Sequence, residues 1–127
     1  PSEPKKATIV FTSWIQDVSY PLAGSEIVCL TSFNEGTPVS LIEAQAASKP
    51  IVTTKVGGIE NSVNSEAAFL LDISDEKGFY EKLLLLCNDE KLREKMAVKG
   101  KDFVFKQFHY TRLVEDVKRL YSSLLKQ

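Results

Sequence analysis

Short apolar runs alternate with longer segments of mixed polarity along this chain. Three runs of strand length stand out, namely Ile27–Leu30, Ile51–Thr54 and Ala68–Leu71, and Thr8–Thr12 is predicted as a further strand. Runs this short, bounded by polar residues, are typical of strands buried in a parallel sheet. Because the runs alternate with helical patterns, the sequence predicts an α/β fold. We expect a doubly wound parallel sheet of about four strands, with helices on both faces.

Two helices are predicted in the first half of the chain. A short one lies near Ser19–Ala23, and a longer one spans Pro38–Ala47. Thr37 offers a capping hydroxyl, and Pro38 would take the first helical position. The longer helix is apolar almost all round, so we expect it to be largely buried.

Three more helices are predicted in the second half. Asp75 is a plausible N-cap for a helix that runs to Cys87, and Asp89 begins another. A final helix carries a wide apolar stripe between Leu113 and Leu125. These segments complete the strand and helix alternation of the predicted fold.

Two carboxylates flank the start of the apolar helix. Glu35 follows a strand end, and Glu43 lies in the middle of the helix. A carboxylate in a buried helix costs free energy unless hydrogen-bond donors meet it, and the vicinal hydroxyls of a ribose or hexose are such donors. The simpler alternatives are a helix-dipole carboxylate for Glu35 and, for Glu43, an exposed carboxylate or one paired with Lys49 or Lys55.

The opening of the same helix is a candidate phosphate site, because a helix N-terminus presents free N–H groups and a favourable dipole. Pro38 has no N–H group. A phosphate would therefore use the amides of Thr37, Val39 and Ser40 or the two hydroxyls among them, while Gly36 supplies backbone freedom. Plain helix capping is the alternative role.

Composition excludes several classes of protein. The 16 basic and 17 acidic residues nearly cancel, which argues against a nucleic-acid-binding protein. The longest apolar run, Leu83–Cys87, is too short to span a bilayer. His109 is the only histidine, and the two cysteines are far apart in sequence, so a zinc site is not expected. Cys29 and Cys87 are predicted to be reduced core thiols of a cytoplasmic protein.

Four ordered motifs resemble one known family. The segment NEGTPVSLIEAQAASKP, with Glu35 and Glu43 separated by seven residues, closely resembles the donor-binding signature of the retaining GT-B glycosyltransferases that have paired glutamates. FTSWIQDV (11–18) resembles that family's F-x-G-W…D-V turn, and VTTKVGGIEN (52–61) resembles its strand and Gly-Gly loop. KQFHYTRLVEDVKRLYSSLL (106–125) looks like its closing helix.

The resemblance implies roles for the candidate site residues. Glu35, the candidate catalytic residue, would meet hydroxyls of the donor sugar, and Glu43 would meet the ribose hydroxyls. Trp14 and Ile15 would line the base pocket, although Trp14 is equally well interpreted as a packing aromatic. The implied substrate-binding residues are Glu35, Gly36, Thr37, Pro38, Val39, Ser40, Glu43, Trp14 and Ile15, and no residue is expected to bind a metal.

Four glycine positions of the family can be compared with this sequence. Ser13 stands where the family commonly has glycine, and Ser48 replaces the glycine usual at the end of the central helix. Gly57-Gly58 matches the family's loop beside the donor, although a simple glycine turn is the alternative.

Only part of the family's architecture is matched. The sheet order of the family is 3-2-1-4-5-6, and the first predicted strand of this chain corresponds to its third strand. The turn after the family's first strand, which carries an Arg and a Lys for the diphosphate, is therefore not matched. Residues 1–6 are expected to be a linker or frayed end, and residues 7–127 an incomplete C-terminal domain that binds a nucleotide sugar. The N-terminal acceptor domain is expected to be missing. Thr8–Thr12 is predicted to pair with Ile27–Leu30, or two chains would pair as a homodimer through the open sheet edge.

The resemblance implies the donor-binding part of a polysaccharide-biosynthesis enzyme. The parent would transfer a sugar from a nucleoside-diphosphate sugar, in particular a UDP-linked one, to a saccharide or lipid-linked acceptor without a metal or other cofactor. It would act in the cytoplasm, with any attachment to the inner membrane face made by the absent domain, and this chain alone is expected to be inactive. The alternatives are a non-catalytic nucleotide-binding or structural module and a fragment of a GT-B-fold sugar-nucleotide epimerase.

Overall fold

A three-stranded parallel sheet forms the middle layer of the chain in a computed structural model, which describes residues 7–125. Strands β1 (Val28–Leu30), β2 (Ile51–Thr54) and β3 (Ala68–Leu71) lie side by side in the order β1-β2-β3. The predicted α/β class with a parallel sheet is confirmed. The linker predicted for residues 1–6 lies outside the described residues.

Six helices occur in the described part of the chain, and two of them begin at the caps expected from the sequence. Asp75 accepts a hydrogen bond from the Gly78 N–H at 2.9 Å, and Asp89 accepts one from the Leu92 N–H at 2.9 Å, so both predicted caps are confirmed. The helices are α1 (Ser19–Gly24), α2 (Val39–Ala46), α3 (Ile59–Ser62), α4 (Glu76–Asn88), α5 (Glu90–Phe108) and α6 (Tyr110–Leu124).

Successive residues of β2 point into two apolar layers, as the strand period requires. Ile51 is fully buried on the face covered by α2 and α3, and Val52 is fully buried on the face covered by α4 and α5. Helices therefore cover both faces of the sheet, as predicted. The first layer contains Leu41, Ala44, Ile51, Ile59, Val63 and Ala68, and the second contains Val52, Leu86 and Met96.

A buried amide joins α2 to the segment that precedes β3. The Gln45 Nε2 group donates to the carbonyls of Leu41 at 3.1 Å and Ser62 at 2.9 Å, and its Oε1 accepts from the Asn64 N–H at 2.9 Å. Gly100 of α5 packs against this side chain, because a Cβ at that position would lie 3.1 Å from Gln45 Cγ. The amide is thus hydrogen-bonded at both ends, which offsets the cost of burying it.

The prediction of a fourth strand is wrong. Thr8–Thr12 forms no strand and pairs with none in the described part of the chain, and Ile9, Val10 and Phe11 are 78%, 73% and 92% exposed. A strand needs a neighbour for its backbone N–H and C=O groups, and the crossover through α1 does not bring this segment beside β1. No described residue pairs with the outer edge of β1, and a homodimer through that edge stays a prediction.

β1 and α2 are less buried than the sequence suggested. Cys29 is exposed because β1 is an edge strand of the three-stranded sheet, and Cys87 is exposed on α4, so both are free thiols outside the core. On α2 only one side is buried, while Val39, Ser40 and Ala46 are exposed. The burial predicted from the apolar composition of β1 and α2 was therefore too high.

The apolar stripe of the last helix lies on the surface. No residue of α6 is buried, and Leu113, Leu120 and Leu124 are each more than half exposed. His109 is the N-cap of α6, where its Nδ1 accepts from the Thr111 N–H. Among the helices of residues 7–125, none has the length and apolar character needed to cross a membrane.

Two serines occupy left-handed backbone conformations. Ser13 has φ +57° and Ser48 has φ +60°. Both positions are the ones at which the resembled family commonly has glycine. A side chain in this conformation costs roughly 1–2 kcal/mol, so each serine carries local backbone strain that a glycine would not.

We predict that Ser48→Gly stabilises the domain by about 1 kcal/mol, because it relieves the left-handed strain. Urea denaturation followed by circular dichroism measures the change. Ser65→Gly is the matched control, since Ser65 is exposed and is not among the residues with positive φ. Equal destabilisation by both substitutions would contradict the prediction.

Candidate functional site

Two loops interlock at the carboxyl ends of β1 and β2. The Glu35 carbonyl accepts a hydrogen bond from the Gly58 N–H at 3.0 Å. A Cβ on Gly57 would collide with the Glu35 carbonyl oxygen, and a Cβ on Gly58 would collide with the Gly36 carbonyl oxygen. Gly57 also has φ +51°. The glycine pair is therefore required for the two loops to touch, and it holds the Glu35-Gly36 segment at the edge where open α/β sheets bind ligands.

The Glu35 side chain is held by a short chain of hydroxyl groups. The Ser32 Oγ donates to Glu35 Oε1 at 2.6 Å, and the Thr54 Oγ1 donates to the Ser32 carbonyl at 2.7 Å. No other donor in the described part of the chain reaches this carboxylate. Glu35 Oε2 is therefore available to hydroxyl groups of a ligand.

The N-terminus of α2 is open, but it is built differently from the prediction. The helix begins at Val39, and Pro38 is the N-cap with an extended backbone (ψ 93°), so Thr37 does not cap it. Proline offers no side-chain acceptor, and the first hydrogen bond to its carbonyl comes from Leu41 at 3.0 Å. The N–H groups of Val39 and Ser40 meet no acceptor in the described part of the chain, so they can bind a ligand oxygen.

Glu43 faces a groove of about 580 Å³ between α1 and α2. The lysine-paired alternative is not supported: Lys55 pairs with Glu60 at 3.0 Å, and Lys49 donates to the Ala23 carbonyl at 3.4 Å. No ion pair within the described residues includes Glu43. The groove is lined by Asp17, Val18, Ser19, Leu22, Ala23, Glu43, Ala46, Ala47 and Lys49.

Glu43 is less buried than the sequence predicted. Glu43 was expected to lie within a buried helix, but it is half-buried on the open side of α2. Burial alone therefore does not demand a ligand for this carboxylate. Residues three and four apart share a helix face, so Glu43 lies on the same side as Val39 and Ser40. The side chains of Val39, Ser40 and Glu43 thus lie on one side of α2, and the two N–H groups lie at the start of the same helix.

The segment expected to form the base pocket is only partly brought to this surface. Trp14 is 81% exposed, Ile15 is half-buried, and neither lines the groove beside Glu43. Asp17 does line it, and its Oδ1 accepts from the Ser19 N–H at 2.9 Å. Hydrogen bonding from Ser19 holds the pKa of the Asp17 carboxyl below its ordinary value. In the sequence, Asp17 is the aspartate of the segment that resembles the family's F-x-G-W…D-V turn. No role was predicted for it.

Comparison with known proteins identifies the family. The family described as "Glycosyl transferases group 1" matches residues 3–103. The chain belongs to this family. It is 33% identical to the capsular polysaccharide biosynthesis glycosyltransferase CapM of Staphylococcus aureus, over 89% of this chain and 31% of CapM. It is 27% identical to the N-acetyl-alpha-D-glucosaminyl L-malate synthase of Bacillus anthracis, over 93% of this chain and 31% of that enzyme.

The fold comparison agrees with the sequence comparison. The crystal structure of Anabaena HepE in complex with UDP superposes with a TM-score of 0.78 at 20% identity, over 86% of this chain and 30% of HepE. The predicted likeness to GT-B glycosyltransferases is confirmed. The chain spans about a third of the length of the curated relatives named above.

We predict that Gly58→Ala destabilises the chain by about 1–3 kcal/mol, because the added methyl group forces the two loops apart. It should also shift the amide NMR signals of Glu35 and Gly36. Gly24→Ala is the control, since its new methyl group would meet nothing within 4 Å. Two variants with the same unfolding midpoint and unshifted loop signals would show that the interlock is unimportant.

Proposed function

We propose that this chain is the donor-binding part of a retaining glycosyltransferase. The substrate would be a nucleoside-diphosphate sugar, and a UDP-linked sugar is the leading candidate. The parent enzyme would transfer the sugar to a saccharide or lipid-linked acceptor. Family membership supports the reaction class, and the UDP bound to the structurally similar HepE supports the choice of nucleotide.

The observation that carries this proposal is the arrangement at the start of α2. Among residues 7–125, no donor reaches the second carboxylate oxygen of Glu35, and no acceptor meets the Val39 and Ser40 N–H groups. Free N–H groups at a helix start favour a phosphate, whereas a carboxylate favours sugar hydroxyls. Glu43 lies one turn beyond Val39 on the same side of the helix. A phosphate between a hexose on Glu35 and a ribose on Glu43 matches a nucleoside-diphosphate sugar.

The proposed chemistry needs more than this site. A diphosphate leaving group must be stabilised by donors and positive charge placed where its charge develops. In the resembled family an Arg and a Lys of another strand serve this purpose, and this sequence does not match that turn. No metal or other cofactor is proposed. Within residues 7–125 no three His, Cys, Asp or Glu side chains lie close enough to hold a metal ion.

The remaining parts of the enzyme are proposals of the same kind. A separate acceptor domain would close over the carboxyl ends of the strands, since this chain spans only 31% of CapM. We place the reaction in the cytoplasm, with any attachment to a membrane made by that separate domain.

We predict weak but specific binding of UDP by this chain. Glu43→Ala should abolish UDP binding, because the ribose hydroxyls lose their acceptor. Glu35→Ala should leave UDP binding nearly unchanged and weaken UDP-sugar binding. Calorimetry or amide-shift titration measures both, and Glu81→Ala on the exposed face of α4 is the control.

Two results would count against the binding assignment. Equal UDP affinity in the wild-type chain and in Glu43→Ala would contradict the ribose contact. Failure of UDP and UDP-sugars alike to bind would favour a domain that merely shares the fold.

We also predict no sugar transfer and negligible donor hydrolysis by this chain alone. Electrostatic stabilisation of the leaving group is commonly worth about 3–4 kcal/mol for a single donor, and the expected cationic side chains are not supplied here. A coupled assay for UDP release, with radiolabelled UDP-sugar, measures the turnover. Activity that follows the purified protein and disappears in Glu35→Ala would contradict this prediction.

A further inference from the structure

We propose that Ser32 is a positioning residue that aims the Glu35 carboxylate at the donor sugar, with Thr54 fixing Ser32 in turn. The inference rests on the proposed function, because it assumes that Glu35 meets sugar hydroxyls. It adds two residues to the site that the resemblance did not supply.

The contact between Ser32 and Glu35 is short and directional. The Oγ to Oε1 distance is 2.6 Å, which is typical of a hydroxyl that donates to a charged carboxylate. Both residues are half-buried, so water competes less for this contact than it would at an open surface. A hydroxyl can donate one hydrogen bond, and the Ser32 hydroxyl donates its bond to Glu35 Oε1. The bond therefore fixes which carboxylate oxygen remains for a ligand.

Thr54 connects this pair to the sheet. Thr54 is the last residue of the central strand β2 and is 6% exposed, and its Oγ1 donates to the Ser32 carbonyl at 2.7 Å. The Glu35 carbonyl is held separately by the Gly58 N–H. The chain just beyond β1 is thus fixed at two points by residues at and after the end of β2. A rotation of the Glu35 side chain is opposed by Ser32, and a movement of the Ser32 backbone is opposed by Thr54.

This arrangement affects the sugar more than the nucleotide. A glutamate side chain that rotates freely loses conformational entropy when it binds a ligand. A side chain that is already held in place loses less. The advantage applies only to ligands that contact Glu35. Removal of the Ser32 hydroxyl should therefore weaken UDP-sugar binding and spare UDP binding, whereas general damage to the domain would weaken both.

A double-mutant cycle on the 127-residue chain tests the inference. Dissociation constants for UDP, UDP-glucose and UDP-N-acetylglucosamine are measured for wild type, Ser32→Ala, Glu35→Ala and the double variant. We expect Ser32→Ala to weaken the better-bound UDP-sugar about threefold to tenfold, as expected for one lost hydrogen bond, with UDP changed less than twofold. The double variant should bind no more weakly than Glu35→Ala alone, because Ser32 acts through Glu35.

Three further variants distinguish a positioning role of Ser32 from general damage to the domain. Ser32→Thr keeps a hydroxyl and should restore most of the binding. Thr54→Val removes the second hydrogen bond and should lower UDP-sugar binding selectively, which keeps the test informative if Ser32→Ala folds poorly. Ser65→Ala changes an exposed serine away from the site and should leave both affinities unchanged.

The possible outcomes are distinct. If the losses of Ser32→Ala and Glu35→Ala add in the double variant, Ser32 acts independently and the inference is overturned. If UDP and UDP-sugar weaken equally in Ser32→Ala and Thr54→Val, the role is structural and the inference is also overturned. If Glu35→Ala itself leaves UDP-sugar binding unchanged, the sugar contact in the proposed function is wrong, which is a different failure.

Discussion

The close approach of two backbone loops at the end of the sheet determines the geometry of the candidate site. The Glu35 carbonyl and the Gly58 N–H form the bond, and the absence of side chains at Gly57 and Gly58 makes the approach sterically possible. The chain that follows β1 can therefore turn back over the end of β2 before entering α2. The direction of α2, and with it the position of its free N–H groups, follows from this turn.

The two glutamates of the motif have different physical surroundings despite their shared signature. Glu35 is tied to the sheet through a hydroxyl and a backbone bond, so its position follows that of the strands. Glu43 lies on the open side of α2 and faces a groove whose other wall is the short helix α1. A ligand at Glu35 would meet an acceptor that is hydrogen-bonded to its own loop, whereas a ligand at Glu43 would meet a surface formed partly by α1.

Much of this fold could be predicted from local sequence, because the deciding interactions are local. β2 and β3 were predicted with their observed limits, and Asp75 and Asp89 cap the helices as expected. The Thr37 cap is a local error, because Pro38 is the N-cap of α2. Two other errors arose where a residue's state depends on distant neighbours. Thr8–Thr12 has the composition of a strand but has no partner strand among the described residues. Cys29 lies in an apolar run, but that run is the edge strand β1.

The candidate site was predictable in part for the same reason. The positions of Glu35, Glu43 and the helix start follow from a contiguous motif. The contact of Ser32 with Glu35 lies within the loop after β1, whereas the contact of Thr54 with Ser32 joins two segments that the parallel pairing of β1 with β2 brings together. Gln45 could have been suspected, because an amide inside an apolar helix needs partners, but its partners Ser62 and Asn64 could not have been named. The sequence therefore predicted the residues of the candidate site, and the tertiary structure supplied the groups that contact them.

The strand order has a consequence for how the domain is assembled. Each strand pairs with the next one along the chain, and the connections run through residues 31–50 and 55–67. Pairing between neighbours in sequence keeps the loop-closure cost of each pairing moderate. The interlock around Glu35 is made by residues between β1 and Gly58, whereas burial of Val52 on the other face of the sheet also needs α4 and α5, so the loops of the candidate site and the second apolar layer depend on different parts of the chain.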